Sequence, residues 1–325
     1  MRAVTITVQG GSGKLTTSVT NLPDPDTGEI VVDVAASGVN RADLLQRAGA
    51  YPPPPDAPEW PGLEVSGIVR ALGPGVSSRR VGDRVVALLG GGGYADRVVV
   101  PAAQTLPVPA GVDLVDAAGL PEAVCTAWTN LVDTGRLTRG ETLLVHGGSG
   151  GVGSVAVQLG VALGARVVTT AGGPERVARC RELGADVVVD HRRDDVVAAV
   201  RDATDGRGAD VVLDVLGGGA LPDNVRVLAP GGRLVVIGLQ QGRRGELDLA
   251  ALMAKRATVT GTTLRSRSPR EKAAIVAAVG EHVWPMVADG RLRPVVHERV
   301  PLADAERALA MLEGGEAFGK VLLVP

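Results

Sequence analysis

The stretch that decides the fold runs from residue 143 to 176 and reads LLVHGGSGGVGSVAVQLGVALGARVVTTAGGPER. It opens on an apolar run and continues with Gly148-Ser-Gly150-Gly-Val-Gly153, which matches the pattern G-x-G-x-x-G. Apolar residues then recur at helical spacing as far as Leu163, and a second apolar run occupies 166–170. This order of strand, glycine turn, helix and strand is the context in which the pattern predicts a dinucleotide-binding turn.

Glycines in such a turn have a specific physical use. They let the backbone turn tightly and approach a pyrophosphate group closely. The negative charge of the pyrophosphate then lies at the start of the following helix, where unpaired N–H groups favour it. A glycine-rich turn can also serve only to pack a helix against a strand. The presence of both flanking strands favours the dinucleotide site.

The end of the second strand indicates which dinucleotide is bound. An NAD-selective site places Asp or Glu there to hold the ribose 2′-hydroxyl, whereas this strand ends in Thr169-Thr-Ala-Gly-Gly173 without a carboxylate. Arg176 and Arg179 follow on the next helix, and Arg192 and Arg193 follow the third strand. Guanidinium groups bind phosphate oxygens in a bidentate manner, so the sequence predicts NADPH, although the arginines alone are equally consistent with a solvated surface.

Length and charge narrow the class of protein. The chain has 325 residues, a length that one hydrophobic core seldom organises, and we expect two domains. Its 34 basic and 36 acidic residues give a formal net charge of −2, and the absence of a basic stripe argues against nucleic acid or an anionic membrane as partner. The first residues alternate like a strand rather than a leader peptide, and the apolar runs are too short for a membrane span, so we expect a cytoplasmic protein.

Strand-like and helical sequence patterns divide the chain into three segments. Residues 1–120 carry short strand-like runs between turns rich in proline and glycine, which predict an all-β domain. Residues 121–264 carry six strand-like runs, mostly separated by helical patterns, and predict a doubly wound parallel sheet. These runs lie at 142–146, 166–170, 187–190, 211–215, 233–238 and 258–263. Residues 265–325 combine helical segments at 269–290 and 302–313 with short strands near 295–300 and 320–324, and we expect them to return to the first domain.

Several segments together resemble a known family. They are Val34-Ala-Ala-Ser-Gly-Val-Asn-Arg-Ala-Asp-Leu-Leu-Gln-Arg, Gly49-Ala-Tyr-Pro-Pro-Pro, Pro61-Gly-Leu-Glu-Val-Ser-Gly, Gly82-Asp-Arg-Val, Pro121-Glu-Ala-Val-Cys-Thr-Ala-Trp, Leu264-Arg-Ser-Arg-Ser and Gly319-Lys-Val-Leu-Leu. With the glycine motif they resemble the zinc-free quinone oxidoreductases (zeta-crystallin-like) of the medium-chain dehydrogenase/reductase superfamily. The resemblance implies an α/β fold: a GroES-like β-barrel catalytic domain plus a Rossmann domain with a doubly wound parallel sheet.

The resemblance also bears on metal. In zinc-dependent relatives a cysteine stands at the position of Asn40, and a Gly-His-Glu motif matches Gly62-Leu63-Glu64. A catalytic zinc ion needs about three protein ligands of N, S or O type, and Glu64 alone cannot supply them. We therefore expect no metal, and the hydride acceptor must be activated without a Lewis acid. Quinones suit such a site because hydride addition gives an aromatic hydroquinone anion, so that hydrogen bonds suffice.

Three residues are candidates for catalysis. The residues that match Asn40 and Tyr51 line the substrate site in zinc-free relatives. Asn40 can donate a hydrogen bond to a developing oxyanion, and Tyr51 can donate a hydrogen bond or stack on the substrate. Asp43 can orient Asn40. The alternatives are turn stabilisation for Asn40, loop packing for Tyr51, and a helix-start or surface carboxylate for Asp43.

Other positions are candidates for binding the cofactor. By resemblance, Thr126 lies near the nicotinamide, the glycine turn binds the pyrophosphate, the turn after the second strand with Arg176 binds the 2′-phosphate, and His191 replaces a tyrosine on the adenine side. Residues after the fourth to sixth strands lie where doubly wound sheets bind ligands, with ordinary turn chemistry as the alternative. Lys320 can approach from the returning segment, but a solvated lysine is the more common case. The full set is Tyr51, Thr126, Gly150, Gly151, Val152, Gly153, Thr170, Gly172, Gly173, Arg176, His191, Gly217, Gly219, Leu239, Thr262, Thr263, Leu264 and Lys320.

Three functions remain open on the sequence. The first is an NADPH:quinone reductase, and the second is an NADPH-dependent reductase of enoyl or alkenal double bonds, which uses the same architecture. The third is a non-catalytic NADPH-binding protein, which the lack of an interaction tail disfavours. The resemblance also implies a homodimer, formed through the Rossmann edge strand at 257–263, which would cover an exposed sheet edge.

Overall fold

The computed structural model of the protein describes residues 1–9 and 12–325 and divides into two compact units. The first unit comprises Met1–Cys125 together with Leu264–Pro325, and the second comprises Thr126–Thr263. No helix within the described ranges is long and apolar enough to cross a membrane.

The N-terminal part of the first unit consists mainly of strands. Its elements are β1 (Arg2–Gln9), β2 (Ser12–Val19), β3 (Glu29–Gly38), α1 (Arg41–Arg47), β4 (Glu64–Leu72), β5 (Arg84–Leu88), β6 (Arg97–Pro101) and β7 (Thr105–Pro107). β1 and β2 form a separate antiparallel pair, whereas β3 is central and pairs with both β4 and β6. Alternating residues of β3, such as Ile30, Val32 and Val34, point into one apolar core, as period-two alternation predicts.

The second unit alternates strands and helices. Its elements are α2 (Pro121–Trp128, which begins in the first unit), a π-helical turn (Thr129–Thr134), β8 (Thr142–Val145), α3 (Gly151–Ala162), β9 (Arg166–Ala171), α4 (Pro174–Glu182), β10 (Val187–Asp190), α5 (Val196–Ala203), β11 (Ala209–Asp214), α6 (Leu221–Val227), β12 (Leu228–Val236), α7 (Leu249–Lys255) and β13 (Thr258–Gly261).

The six strands of the second unit form one parallel sheet in the order β10-β9-β8-β11-β12-β13. The chain moves outward from β8 in one direction through β9 and β10, and in the other through β11 to β13. A doubly wound sheet binds ligands at the carboxyl ends of its strands where this direction reverses, here at β8 and β11. The glycine turn after β8 therefore lies at the position expected for a cofactor.

The C-terminal residues belong to the first unit. Their elements are α8 (Pro269–His282), α9 (Trp284–Ala288), β14 (Val296–Pro301), α10 (Ala305–Glu313) and β15 (Lys320–Val324). β15 pairs with β14 on one side and with β3 on the other, so it joins the main sheet of that unit. The helical segment expected at 269–290 is two helices, because Pro285 in the first turn of α9 lacks the N–H that a continuous helix needs.

Candidate active site and cofactor turn

The glycine turn of the second unit is held by the strand beside it. The Gly147 N–H donates to Thr170 Oγ1 at 3.0 Å, and the Gly148 N–H donates to the Thr170 carbonyl at 2.9 Å. The helix α3 starts directly after Gly150, which occupies the N-cap position without a side-chain cap. Thr170 thus fixes the turn, and the first N–H groups of α3 receive no acceptor from a capping side chain.

Glycine is sterically required at some positions of this turn but not at others. A Cβ atom at Gly148 would lie 2.2 Å from Thr169 Oγ1, and one at Gly153 would lie 2.0 Å from the Gly147 carbonyl oxygen. A Cβ atom at Gly150 would meet only the Gly147 carbonyl oxygen, at 3.4 Å. Packing alone therefore requires Gly148 and Gly153, whereas Gly150 leaves room in front of α3 that the protein does not use.

The turn after β9 lies among basic side chains. Gly173 has a φ of +88° and is the N-cap of α4, and its N–H donates to Asp190 Oδ1 at 3.0 Å. A Cβ atom at Gly172 would lie 2.9 Å from Arg192 Nε and 3.1 Å from His191 Nε2. His191 and Arg192 therefore lie beside this turn. Arg192, one of four arginines that the sequence singled out without assigning it a contact, lies near the predicted phosphate position.

The loops after β11 and β12 hold three further predicted residues of the second unit. Gly217 and Gly219 belong to a loop that packs against the segment after β12, since Cβ atoms there would lie 2.9 Å from Gly238 O and from Gln241 Cβ respectively. Leu239 is exposed. Their proximity to a cofactor stays a prediction.

A short chain of hydrogen bonds connects Thr126 with Thr262. The Thr262 hydroxyl contacts Asn130 Oδ1 at 2.5 Å, and Asn130 Nδ2 donates to the Thr126 carbonyl at 2.8 Å. Thr263 and Leu264 follow directly in sequence, and the boundary between the two units falls between them. Asn130, which the sequence did not single out, fixes Thr126 and Thr262 relative to each other.

In the first unit, strand pairing brings Asn40, Glu64 and Lys320 together. Asn40 follows the end of β3, Glu64 begins β4 and Lys320 begins β15, and both of these strands run antiparallel to β3. The ends meet at one place, where a Cβ atom at Gly38 would lie 2.2 Å from Glu64 Oε1. Only glycine allows this approach.

The three side chains satisfy one another. Asn40 Nδ2 donates to Glu64 Oε1 at 2.9 Å and to the Gly38 carbonyl at 3.2 Å, while Lys320 Nζ donates to Asn40 Oδ1 at 2.8 Å. Lys320 also forms an ion pair with Glu64, and the two side chains are 4% and 0% exposed. We call Asn40, Asp43, Glu64 and Lys320 the inner cluster. Lys320, expected near the cofactor, directs its ammonium into this cluster.

Asp43 accepts three hydrogen bonds inside the inner cluster. The donors are the Asn40 N–H at 2.8 Å, the Tyr94 hydroxyl at 2.9 Å and the Gly62 N–H at 3.1 Å. Burial raises the pKa of Asp43 to about 6, although these hydrogen bonds and the charge of Lys320 act in the opposite direction. Asp43 therefore holds the turn that carries Asn40.

Tyr51 lies against an arginine that the sequence did not assign to the site. Arg265 is 3% exposed, and its guanidinium lies 5.2 Å from the centre of the Tyr51 ring. It donates to the Gly90 carbonyl at 2.8 Å, the Tyr51 carbonyl at 3.1 Å and Gln46 Oε1 at 2.7 Å. Arg265 thus joins α1, the Tyr51 loop and the Gly90 loop. Its place in Leu264-Arg-Ser-Arg-Ser is the signal that could have pointed to it.

Glu122 contacts the inner cluster and acts electrostatically on Tyr51. Its N–H donates to Glu64 Oε2 at 2.9 Å. Burial, followed by the charge of Glu64, raises the pKa of Glu122 to about 8, and the ammonium of Lys320 only partly offsets this. Burial also raises the pKa of Tyr51, with a contribution from the charge of Glu122. At neutral pH both Glu122 and Tyr51 hold their protons.

The inner cluster does not fit a zinc ion. Across residues 1–9 and 12–325, no group of three or more His, Cys, Asp and Glu side chains is arranged to hold a metal. The Glu64 carboxylate already pairs with the ammonium of Lys320, whose positive charge opposes a cation beside it.

Comparison with known proteins places this geometry in a family. The family model described as "Zinc-binding dehydrogenase" matches residues 151–279, and the one described as "Alcohol dehydrogenase GroES-like domain" matches residues 26–110. The quinone oxidoreductase of Rattus norvegicus is 31% identical over 333 residues, which cover 100% of this chain and 98% of that protein. The chain belongs to the medium-chain dehydrogenase/reductase family of oxidoreductases. The predicted GroES-like and Rossmann architecture and the resemblance to quinone oxidoreductases are confirmed.

Two further relatives bear on the function of this chain. The Escherichia coli quinone oxidoreductase complexed with NADPH has 30% sequence identity and a TM-score of 0.87, and the match covers 100% of this chain and 99% of that one. A phenolphthiocerol/phthiocerol polyketide synthase of Mycobacterium tuberculosis is 35% identical over 300 residues, which are 92% of this chain. The match spans only 14% of that synthase.

Proposed function

We propose that the protein is a zinc-independent oxidoreductase that transfers a hydride from NADPH to a quinone. The observation that carries the proposal is the inner cluster, in which the Lys320–Glu64 ion pair and Asn40 leave no donor set for zinc. A quinone needs no Lewis acid to accept a hydride. Full-length likeness to quinone oxidoreductases, one of them complexed with NADPH, supports the same reaction.

The second unit has the features that binding of NADPH requires. The open space at Gly150 and the uncapped start of α3, at Gly151, Val152 and Gly153, suit the pyrophosphate. Gly172 and Gly173, flanked by His191 and Arg192, suit the 2′-phosphate, and Arg176 lies in the first turn of α4. NADPH is the cofactor, and when bound it supplies the hydride.

The first unit supplies groups that hold protons near the acceptor. The Tyr51 Oη stays protonated at neutral pH and can donate a hydrogen bond to a quinone carbonyl, while Arg265 fixes its loop. The Glu122 carboxyl also stays protonated and can replace the proton that the product takes up. Asn40 keeps its place because Asp43, Glu64 and Lys320 hold it.

The direct test is the initial rate of NADPH and of NADH oxidation with 1,4-benzoquinone, each with and without a chelator. We expect turnover that resists the chelator and prefers NADPH. Preference for NADH would contradict the assignment of the phosphate turn, and loss of activity with the chelator would contradict zinc independence.

The likeness to the polyketide synthase favours a second candidate, reduction of a conjugated carbon–carbon double bond. Polyketide assembly includes such reductions, and the matched stretch covers most of this chain. Parallel assays with a benzoquinone and a conjugated enone distinguish the two. A marked preference for the enone would replace the quinone as substrate, and tight NADPH binding without oxidation by either would favour a non-catalytic protein.

We also propose a homodimer through the edge of the second unit. All four residues of β13 are exposed, and α7 has no buried residue. Leu249, Met253 and Val259 are exposed apolar side chains on these two elements. Pairing of two β13 strands would satisfy the free sheet edge and cover these side chains. Light scattering at micromolar concentration should show a dimer, and a monomer in that experiment would contradict the proposal.

A further inference from the structure

Lys272 is a buried cation outside the inner cluster. It lies on the first turn of α8, next to the capping-box residue Glu271, and its side chain is only 6% exposed. Within residues 1–9 and 12–325 its ammonium makes no hydrogen bond, and the ionisable groups that act on it are Asp56, Glu122 and Arg265. Burying a charge without a hydrogen-bond partner costs free energy, so such a group is expected to have a use.

The ammonium lies beside the Tyr51 site. A Cβ atom at Gly90 would lie 3.4 Å from Lys272 Nζ, and the Gly90 carbonyl accepts a hydrogen bond from Arg265 at 2.8 Å. The same guanidinium lies 5.2 Å from the centre of the Tyr51 ring. Lys272, Arg265, Tyr51 and Glu122 therefore form one group, which we call the outer cluster.

A second buried lysine of the same unit has a structural role and provides a comparison. Lys320 is 4% exposed and directs its ammonium at the Glu64 carboxylate and at Asn40 Oδ1. Lys272 is almost as buried but relies on charges that do not form hydrogen bonds with it. Within the described ranges its N–H donors are directed at no protein acceptor, so they are available to a ligand oxygen.

We propose that Lys272 donates a hydrogen bond to the substrate carbonyl oxygen that becomes an oxyanion. This inference rests on the proposed function. A hydride and one proton convert the quinone to hydroquinone while NADPH becomes NADP⁺. The electron pair of the hydride ends on the oxygen facing Lys272 Nζ, the Glu122 carboxyl gives its proton to that oxygen, and water then restores the proton on Glu122. Lys272 stays protonated throughout and stabilises the negative charge as it forms.

The first experiment compares Lys272→Met with wild type and with Arg270→Met, which removes an exposed cation from the same helix. At saturating NADPH, kcat/KM for 1,4-benzoquinone should fall about 100-fold in Lys272→Met, the size of effect seen when one oxyanion donor is removed. Lys272→Arg should restore part of the loss, and Arg270→Met should stay within about twofold of wild type. A Lys272→Met enzyme within about twofold of wild type would overturn the inference.

A second readout does not depend on turnover. The absorbance of 4-nitrophenol reports its ionisation, and the wild-type protein should bind the phenolate and lower its apparent pKa, whereas Lys272→Met should not. If wild type reduces no quinone yet binds the phenolate through Lys272, the proposed function fails and the oxyanion site stands. Equal phenolate binding by wild type and Lys272→Met would overturn the site.

If Lys272→Met does not fold, Gly90→Ala provides the test. The new methyl group would lie 3.4 Å from Lys272 Nζ and 3.2 Å from Ala57 Cβ, at a position without positive φ. It should raise KM for benzoquinone and weaken phenolate binding. Unchanged values for both would overturn the inference.

Discussion

The inner and outer clusters of the first unit contain similar groups but differ in how completely the protein satisfies them. In the inner cluster the Lys320 ammonium, the Asn40 carboxamide and the Glu64 carboxylate bond to one another, and both lysine and glutamate are almost fully buried. In the outer cluster Arg265 is fixed by three carbonyl acceptors, whereas Lys272 makes no hydrogen bond within the described part of the chain. A satisfied cluster contributes rigidity, and an incompletely satisfied one is where a ligand gains most.

The largest expected effect concerns the inner cluster. Lys320→Met leaves the Glu64 carboxylate buried without its cation, which should lower the free energy of unfolding by about 3–5 kcal/mol. Urea unfolding measures this. Arg226→Met, which breaks an ion pair exposed on both sides, is the control and should cost no more than about 1 kcal/mol. A loss as small as that control in Lys320→Met would show that the buried ion pair of the inner cluster does not stabilise the fold.

Arg265 tests whether the outer cluster positions Tyr51. Arg265→Met removes the bonds to three segments, and kcat/KM for benzoquinone should fall about 100-fold because small displacements at a site have large effects on rate. Arg265→Lys should restore little, since lysine cannot reproduce the planar fork that reaches three acceptors. Arg70→Met, at an exposed pair in the same unit, serves as control. Full activity of Arg265→Lys would refute the positioning role.

Glu122 predicts a pH dependence of stability. Its pKa rises from 4.5 in the unfolded chain to about 8 in the folded protein, so the folded state binds the proton more tightly. The free energy of unfolding should therefore fall as pH rises from about 4.5 to about 8. Glu122→Gln removes this slope and should exceed wild type by about 1–3 kcal/mol above pH 8. The exposed Glu246→Gln is the control, and parallel curves for wild type and Glu122→Gln would contradict the assignment.

The smallest expected effect concerns Arg192 in the second unit. Arg192 lies beside Gly172, where a phosphate is expected, whereas its neighbour Arg193 is not among the side chains nearest to that glycine. Arg192→Ala should weaken NADPH binding about tenfold and leave NADH binding unchanged, because only NADPH has the 2′-phosphate. Arg193→Ala is the control. Equal loss of both cofactors in Arg192→Ala would count against a phosphate contact.

The two units differ in how far their sites could be predicted. The glycine turn, the six strands and the turn after β9 were predicted because each depends on local periodicity and on glycine conformation. The structure adds that Gly148 and Gly153 are needed for packing, whereas Gly150 is not. Lys272 gave no such signal, and Arg265 had only its place in Leu264-Arg-Ser-Arg-Ser, because the partners of both residues lie far away in the chain.

The sequence by itself determined the order of the elements and the doubly wound sheet, since these follow from spacing along the chain, and the resemblance of several sequence segments indicated the family. It also identified Asn40 and Tyr51 as candidates, whose roles stay predictions. Only the tertiary structure decided which charges meet. Antiparallel pairing of β3 with β4 and β15 places Lys320 on Asn40, 280 positions away, and closes the inner cluster. A hydrogen bond depends on distance in space, and no local pattern records a pairing between strands so far apart in sequence.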